Sequence, residues 1–176
     1  MAVTIEQISE HDAVGLARIA RKAYRDHYTH LWHDGGAWYV RTRFNARKLR
    51  KEIADENALF YFACLDGERV GFLKLNIHKS YPGLEGKECL ELERIYLTRA
   101  GQGKGVGKAL VKFTLDYARK IGKEAVFLKA MDTSDAVGFY EKMGFRTFDT
   151  YRLSFPMMKE ELREMVVMAN LLMVNG

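Results

Sequence analysis

Along the chain the spacing of apolar positions changes several times, and each change marks an element. Residues 3–8 alternate apolar and polar side chains, the period of a strand. Val14, Leu16, Ala17, Ala20, Tyr24 and Tyr28 then form a helical stripe, with Asp12 placed to cap it. His33, Asp34, Gly35 and Gly36 break that helix. A second helical stretch covers residues 38–44, and a short, strongly charged one covers 46–55. The period then shortens. Residues 58–65 and 70–77 are rich in aromatic and β-branched side chains around Asp66 and Gly67, which predicts a hairpin. Tyr81, Pro82 and Gly83 mark a loop.

Residues 89–97 read as another strand, but its phase slips. Leu90 and Leu92 share one face, whereas Ile95 and Leu97 lie three and five residues beyond Leu92. One extra residue near Glu93 and Arg94 restores the register, which is what a β-bulge does. A central strand buried on both faces needs no phase and is the alternative. Past a glycine-rich stretch, Val106, Leu110, Phe113, Tyr117 and Ile121 recur at helical spacing, and Gly122 stands where a helix would end. Residues 125–128 predict a short strand, 134–143 a helix ending at Gly144, 145–155 a strand, and 165–172 a last apolar strand. Hairpin strands followed by a strand–helix–strand crossover imply a mixed α/β (α+β) sheet with helices on its faces. No repeat or linker divides the pattern, so residues 1–176 are expected to form a single domain.

A chain of 176 residues with 48% hydrophobic content can bury a core without disulfide or metal staples. No apolar run approaches the roughly 18 residues of a membrane span. The first residues carry no basic, then apolar, secretory pattern. Cys64 and Cys89 sit in separate apolar strands and read as buried thiols, so a reducing, cytoplasmic setting is expected. The net charge of +5 suits nucleic acid, anionic lipid or a phosphate-rich cofactor, and does not choose among them. Arg41, Arg43, Arg47, Lys48, Arg50 and Lys51 crowd one stretch, which reads as a solvated helix face. Glu85, Glu88, Glu91 and Glu93 crowd another. His27, His30 and His33 do not share a helical face, so no metal site is expected.

Gly101, Gly103, Gly105 and Gly107 alternate between a strand and a helix. There the N–H groups of the first helical turn and the positive end of the helix dipole converge. Missing side chains let a bulky anion approach the backbone. The P-loop pattern fails at Gln102 and Ala109, and the dinucleotide pattern fails at Lys108. Gln102, Gly105 and Gly107, preceded by Leu92, Glu93, Arg94, Ile95, Tyr96 and Leu97, resemble the acetyl-CoA-binding motif of the GNAT superfamily of N-acetyltransferases. Downstream, Ala136, Tyr140, Gly144 and Phe145 look like that family's Ala-x-x-x-Tyr-x-x-x-Gly-Phe element. Within the superfamily the chain is most similar to the PaiA-like polyamine (spermidine/spermine) N-acetyltransferase branch. That likeness runs through residues 31–36, Trp38, Tyr39, Leu73, Lys74, Leu75 and residues 91–96, and it covers residues 3 to 155.

The resemblance implies a mixed, mainly antiparallel sheet of six to seven strands, splayed at a bulged central strand and flanked by four to five helices. It implies acetyl-CoA as cosubstrate and no metal. Pantetheine would pair with the backbone of Ile95, Tyr96 and Leu97, and the phosphates would meet Gln102, Gly103, Lys104, Gly105, Val106, Gly107 and Lys108. Arg99 is a further basic residue at that end. Tyr140 matches the family's tyrosine, the acid that protonates the departing thiolate. The family usually carries Asn three residues before the alanine, in contact with the cofactor; Thr133 stands there and has a hydroxyl with shorter reach.

An alkylammonium must also lose a proton before it attacks, which costs roughly 4.6 kcal/mol at pH 7. Glu93 and Glu91, two apart on a strand, share a face roughly 7 Å apart. Their repulsion in a half-buried cleft is expected to raise one pKa toward neutrality, as a base acting through water requires, with Glu93 favoured. The alternative is that one of them simply pairs with Arg94 or Lys74. Tyr28, Trp32 and Trp38, with Tyr24 and Tyr39, line an acceptor channel for a cation or else pack as core. The expected activity is acetyl transfer from acetyl-CoA to a primary amine, a polyamine by resemblance, directly within a ternary complex. A non-catalytic acetyl-CoA sensor is a second reading, and a nucleic-acid-binding domain using residues 41–51 a third. The expected partners are acetyl-CoA and a small amine, with no nucleic acid and no membrane, and a homodimer stays open.

Overall fold

The computed structural model describes residues 1–132 and 134–173. In chain order it contains β1 (Val3–Gln7), α1 (Ala13–His27), α2 (Ala37–Arg43), α3 (Ala46–Ile53), β2 (Ala58–Leu65), β3 (Glu68–Asn76), β4 (Cys89–Leu97), α4 (Val106–Lys120), β5 (Ala125–Met131), α5 (Ala136–Lys142), β6 (Arg146–Arg152) and β7 (Glu164–Leu171). The strands form one seven-stranded sheet in the order β1-β2-β3-β4-β5-β7-β6. Every neighbouring pair is antiparallel except β4 and β5, which α4 joins as a crossover. The sheet agrees with the expected mixed, mainly antiparallel architecture.

Residues 58–65 are apolar without a break because β2 is covered on both sides. Phe60, Phe62 and Cys64 pack toward α1, α2 and α3, while Tyr61, Ala63 and Leu65 face the layer that contains α4. The hairpin turns where expected, with Asp66 and Gly67 both in the left-handed region, at φ 51° and 85°. Beside β5, Tyr81 and Leu84 from the long connection fill the face that the helices leave open.

Four expectations change. Val14 points outward, 58% exposed, and Ala13 and Ala23 join Leu16, Ala17, Ala20 and Tyr24 on the buried side of α1. Asp12 bonds back to the Ser9 N–H at 2.9 Å and caps nothing in α1. The buried side of α4 centres on Leu110, Val111, Thr114, Leu115 and Ala118, with Ile121 just past its end. The strand expected over 145–155 is shorter and exposed throughout, because β7 inserts between it and β5 and leaves β6 at the sheet edge.

Candidate active site

The sheet divides at β4. Lys74 on β3 opposes Arg94, and Leu75 opposes Leu92, so Glu93 is an extra residue with no partner of its own. This is the bulge that the phase slip predicted, and such an insertion bends its strand. On its other edge β4 pairs with β5 only at Cys89, Leu90 and Glu91. Beyond Glu91 both strands continue, β4 along β3 and β5 along β7, but no longer together. A wedge opens between them. One edge of Ile95, Tyr96 and Leu97 therefore lacks a strand partner, while the other pairs with Leu73, Phe72 and Gly71.

A cavity of about 450 Å³ occupies this wedge from its closed end at Glu91 outward. Its floor is Glu91, Glu93, Arg94, Ile95 and Tyr96 from β4 and residues 128–131 of β5. Tyr24, Tyr28, Trp32, Tyr39 and Arg43 roof it from the helical layer, Phe155 and Met158 close one side, and Tyr140 of α5 reaches it from the other. The roof is held by ring contacts, with Trp32 stacked on Tyr39 at 4.8 Å and its indole N–H donating to the Tyr24 hydroxyl at 2.8 Å.

The bulge sets the charge arrangement. It places Glu93 and Arg94, adjacent in sequence, among the same partners. Lys74 Nζ lies 2.8 Å from Glu52 of α3 and 3.1 Å from Glu93. Arg94 lies 3.1 Å from Glu52 and 2.9 Å from Glu93, closing a ring of alternating charge. Asn76 Nδ2 donates to both Glu91, at 2.7 Å, and Glu93, at 3.1 Å, and so ties the two carboxylates together.

That ring overturns one expectation. Burial pushes the Glu93 carboxyl up, but Arg94, Lys74 and the Asn76 hydrogen bond outweigh it and hold the group below its ordinary value. Glu93 is thus held ionised and is not brought toward neutrality. Burial pushes the Tyr140 hydroxyl up, so it stays protonated across the neutral range. Burial acts likewise on Tyr24, Tyr28 and Tyr96.

Past the cavity, where the two strands have parted, β4 runs through Thr98 into the turn Arg99–Gly101 and then α4. Gly105 takes the N-cap position at φ 79°, a conformation other residues rarely adopt, and a Cβ there would meet nothing within 4 Å. The first helical hydrogen bond runs from the Ala109 N–H to the Gly105 carbonyl, at 3.1 Å. The N–H groups of Val106, Gly107 and Lys108 lie ahead of it without a helical acceptor. Gln102, Gly103, Lys104 and Lys108 are exposed around them. Open space, unpaired N–H groups and nearby lysines fit a phosphate-bearing cosubstrate such as coenzyme A, and the unpaired edge of β4 fits its extended arm. A Cβ on Gly107 would lie 3.6 Å from the Phe139 ring, so α5 packs against this loop and brings Tyr140 next to it.

Most sequence-predicted residues therefore converge: Glu91, Glu93, Ile95, Tyr96, Tyr140, Tyr28 and Trp32 all line the cavity. Trp38 does not. It is one position from Tyr39 on α2, a helical step that turns it away to pack on Phe155 at 6.3 Å. Thr133 lies outside the described residues. Arg43, Glu52, Asn76 and Lys129 went unnoticed as site residues. Asn76 and Lys74 had a signal, as polar positions in phase with Phe72 on an otherwise apolar strand. Arg43 and Lys129 had none, because only the sheet order and the α2 packing bring them together. Among the described residues no three His, Cys, Asp or Glu side chains gather as a metal site, and no helix is long and apolar enough to cross a membrane.

Comparison with known proteins bears on this geometry. The profile of the acetyltransferase (GNAT) family matches residues 17–145. An uncharacterized N-acetyltransferase of Lactobacillus delbrueckii subsp. lactis is 31% identical over 151 residues, covering 85% of this chain and 87% of that one. One from Methanocaldococcus jannaschii is 28% identical over 146 residues, covering 81% of this chain and 60% of that one. The PaiA N-acetyltransferase of Thermoplasma acidophilum, solved in complex with coenzyme A, shares the fold with a TM-score of 0.76 at 22% identity, over 98% of this chain and 100% of that one.

Proposed function

The chain belongs to the acetyltransferase (GNAT) family, and from that membership we propose that it passes an acetyl group directly to a primary amine bound beside acetyl-CoA. It is an acyltransferase, and acetyl-CoA is its donor. The parting of β4 from β5 beyond Glu91 carries the reading, since it leads a free strand edge into a cavity whose lining includes Glu91, Glu93 and Tyr140.

When bound, acetyl-CoA supplies a thioester carbonyl for attack and a thiolate that must be protonated. Tyr140, neutral and at the cavity wall, donates that proton. Glu93, kept anionic by its cations, attracts the incoming ammonium. Glu91 has one protein donor, Asn76, and its other oxygen has none among the described residues. It takes the amine's proton through water. The backbone of Ile95, Tyr96 and Leu97 aligns the arm of the cosubstrate, while the N–H groups of Val106, Gly107 and Lys108, with Lys104, hold its phosphates. Cys64 and Cys89 are buried and outside the cavity, and burial pushes both thiols up, so neither supports a covalent acetyl-cysteine route. That favours direct transfer. The two buried thiols also suit a reducing, cytoplasmic setting, and the continuous sheet suits a single acetyltransferase domain. For a polyamine acceptor, Glu93 is already paired with two cations and only Glu91, held by the neutral Asn76 amide, keeps an unneutralised charge.

Incubating the protein with acetyl-CoA and a panel of polyamines, amino acids and peptides, and measuring free thiol, tests the reading. Thiol release with at least one amine is expected, with kcat reduced about 100-fold in Tyr140→Phe. No release with any amine, together with a rise in Tm on adding acetyl-CoA, would identify a sensor instead.

A further inference from the structure

The cavity holds more positive charge than acetylation of a polycation would use. Arg43, Lys79, Arg94 and Lys129 line it against Glu91 and Glu93. Both carboxylates have protein partners, Glu91 from Asn76 and Glu93 from Lys74 and Arg94. Arg94, with its side chain 10% exposed, has Glu52 and Glu93, yet its Nη1 is buried with no partner.

Arg43 and Lys129 differ from Arg94. Among the described residues neither has a carboxylate within 4.0 Å, although both are partly buried. Each is backed by aromatic faces instead. The Arg43 guanidinium lies 4.9 Å from the Phe155 ring centre and 5.9 Å from that of Tyr39. Lys129 Nζ lies 4.0 Å from the Tyr151 ring centre and 5.7 Å from that of Tyr81. Ring faces orient a cation but carry no neutralising charge, so a partly desolvated cation in this setting still favours an anion. Lys129 also occupies the right wall. It is two residues past Phe127, which pairs with Glu91, so it shares the sheet face of the two glutamates across the wedge.

We propose that the acceptor is a compact amine that also carries an anionic group, a carboxylate or phosphate, received by Lys129 and Arg43 while its amine faces Glu91 and Glu93. This rests on the acetyl-transfer reading and narrows its substrate class. The same anion would balance the positive wall, and the aromatic roof would cover an apolar body between the two ends. A polyamine, cationic at both ends, would place its second charge against that wall.

Matched acceptors test this in the unaltered protein: phenylalanine against phenethylamine, phosphoethanolamine against ethanolamine, and spermidine beside them. The anionic member of at least one pair should show a kcat/KM at least tenfold above its neutral-bodied partner and above spermidine, and which pair responds tells carboxylate from phosphate. In Lys129→Gln and in Arg43→Gln that ratio should fall toward one, through KM more than kcat. Equal or reversed preference within both pairs, with thiol still released, overturns the inference and leaves acetyl transfer standing. Calorimetric binding of the same amines to the protein with coenzyme A separates the two readings. Preferential binding of an anionic amine without any thiol release supports the anion site and overturns acetyl transfer. Neither binding nor turnover overturns both.

Discussion

Glu93 and Arg94 illustrate how a single residue's chemistry depends on one inserted position. In an unbroken strand their side chains would face opposite sides of the sheet. The bulge lets both join Lys74 and Glu52, and the resulting ring keeps each charge partnered. Partnered charges in a poorly hydrated site add little net stability, but removing one member leaves the others under-compensated. Because the folded-state pKa of Glu93 lies below its ordinary value of 4.5, its contribution is complete above that value and is lost as the pH falls through the lower folded one. Glu93→Gln should therefore cost about 1–3 kcal/mol at pH 7. In urea titrations the gap to the unaltered protein should narrow as the pH falls below that ordinary carboxylate value. A gap that stays constant as the pH falls would show that Glu93 is not held ionised by its neighbours.

At the scale of elements, the parting of β4 from β5 depends on how tightly β4 is held on its other side. Gly71 of β3 is the tightest point there. A Cβ at that position would lie 2.4 Å from the Tyr96 carbonyl oxygen and 2.6 Å from Leu97 Cδ2. Neither the carbonyl nor the strand carrying it can yield without moving the edge offered to the cosubstrate. Gly71→Ala should lower stability by about 1–3 kcal/mol, read as a lower urea midpoint at an unchanged slope, and should raise KM for acetyl-CoA. Unaltered values for both would mean that β4 does not need this close approach. The element boundaries show the same dependence on neighbours. The phase slip was visible in residues 89–97, whereas the exposure of Val14 and the shortness of β6 were settled by which neighbours the folded chain places beside each.

For the whole molecule, a donor bound by α4, the β4 edge and α5 links three separate stretches of chain in the folded state alone. Acetyl-CoA at 100 times its Kd should add about 2.7 kcal/mol of stability. For this size that is a rise in Tm of about 5–10 °C, smaller in Lys104→Ala and Lys108→Ala at the same concentration. No shift at saturating acetyl-CoA would rule out binding at this loop. The glycine stretch, the phase slip and the tyrosine helix were legible in the amino-acid order because each is a local pattern, set by turn geometry, strand period and helix spacing. They were enough for the sheet type, the donor and the family. The placement of β7 between β5 and β6, the turning of Trp38 away from the cavity, and the engagement of Glu93 by Lys74 and Arg94 required the folded chain. So did the meeting of Lys129 with Arg43 across the cavity. Charge balance at a site is summed over side chains from distant segments, and no local period encodes which segments meet; amino-acid order determined the donor end, and tertiary packing decided the chemistry of the acceptor end.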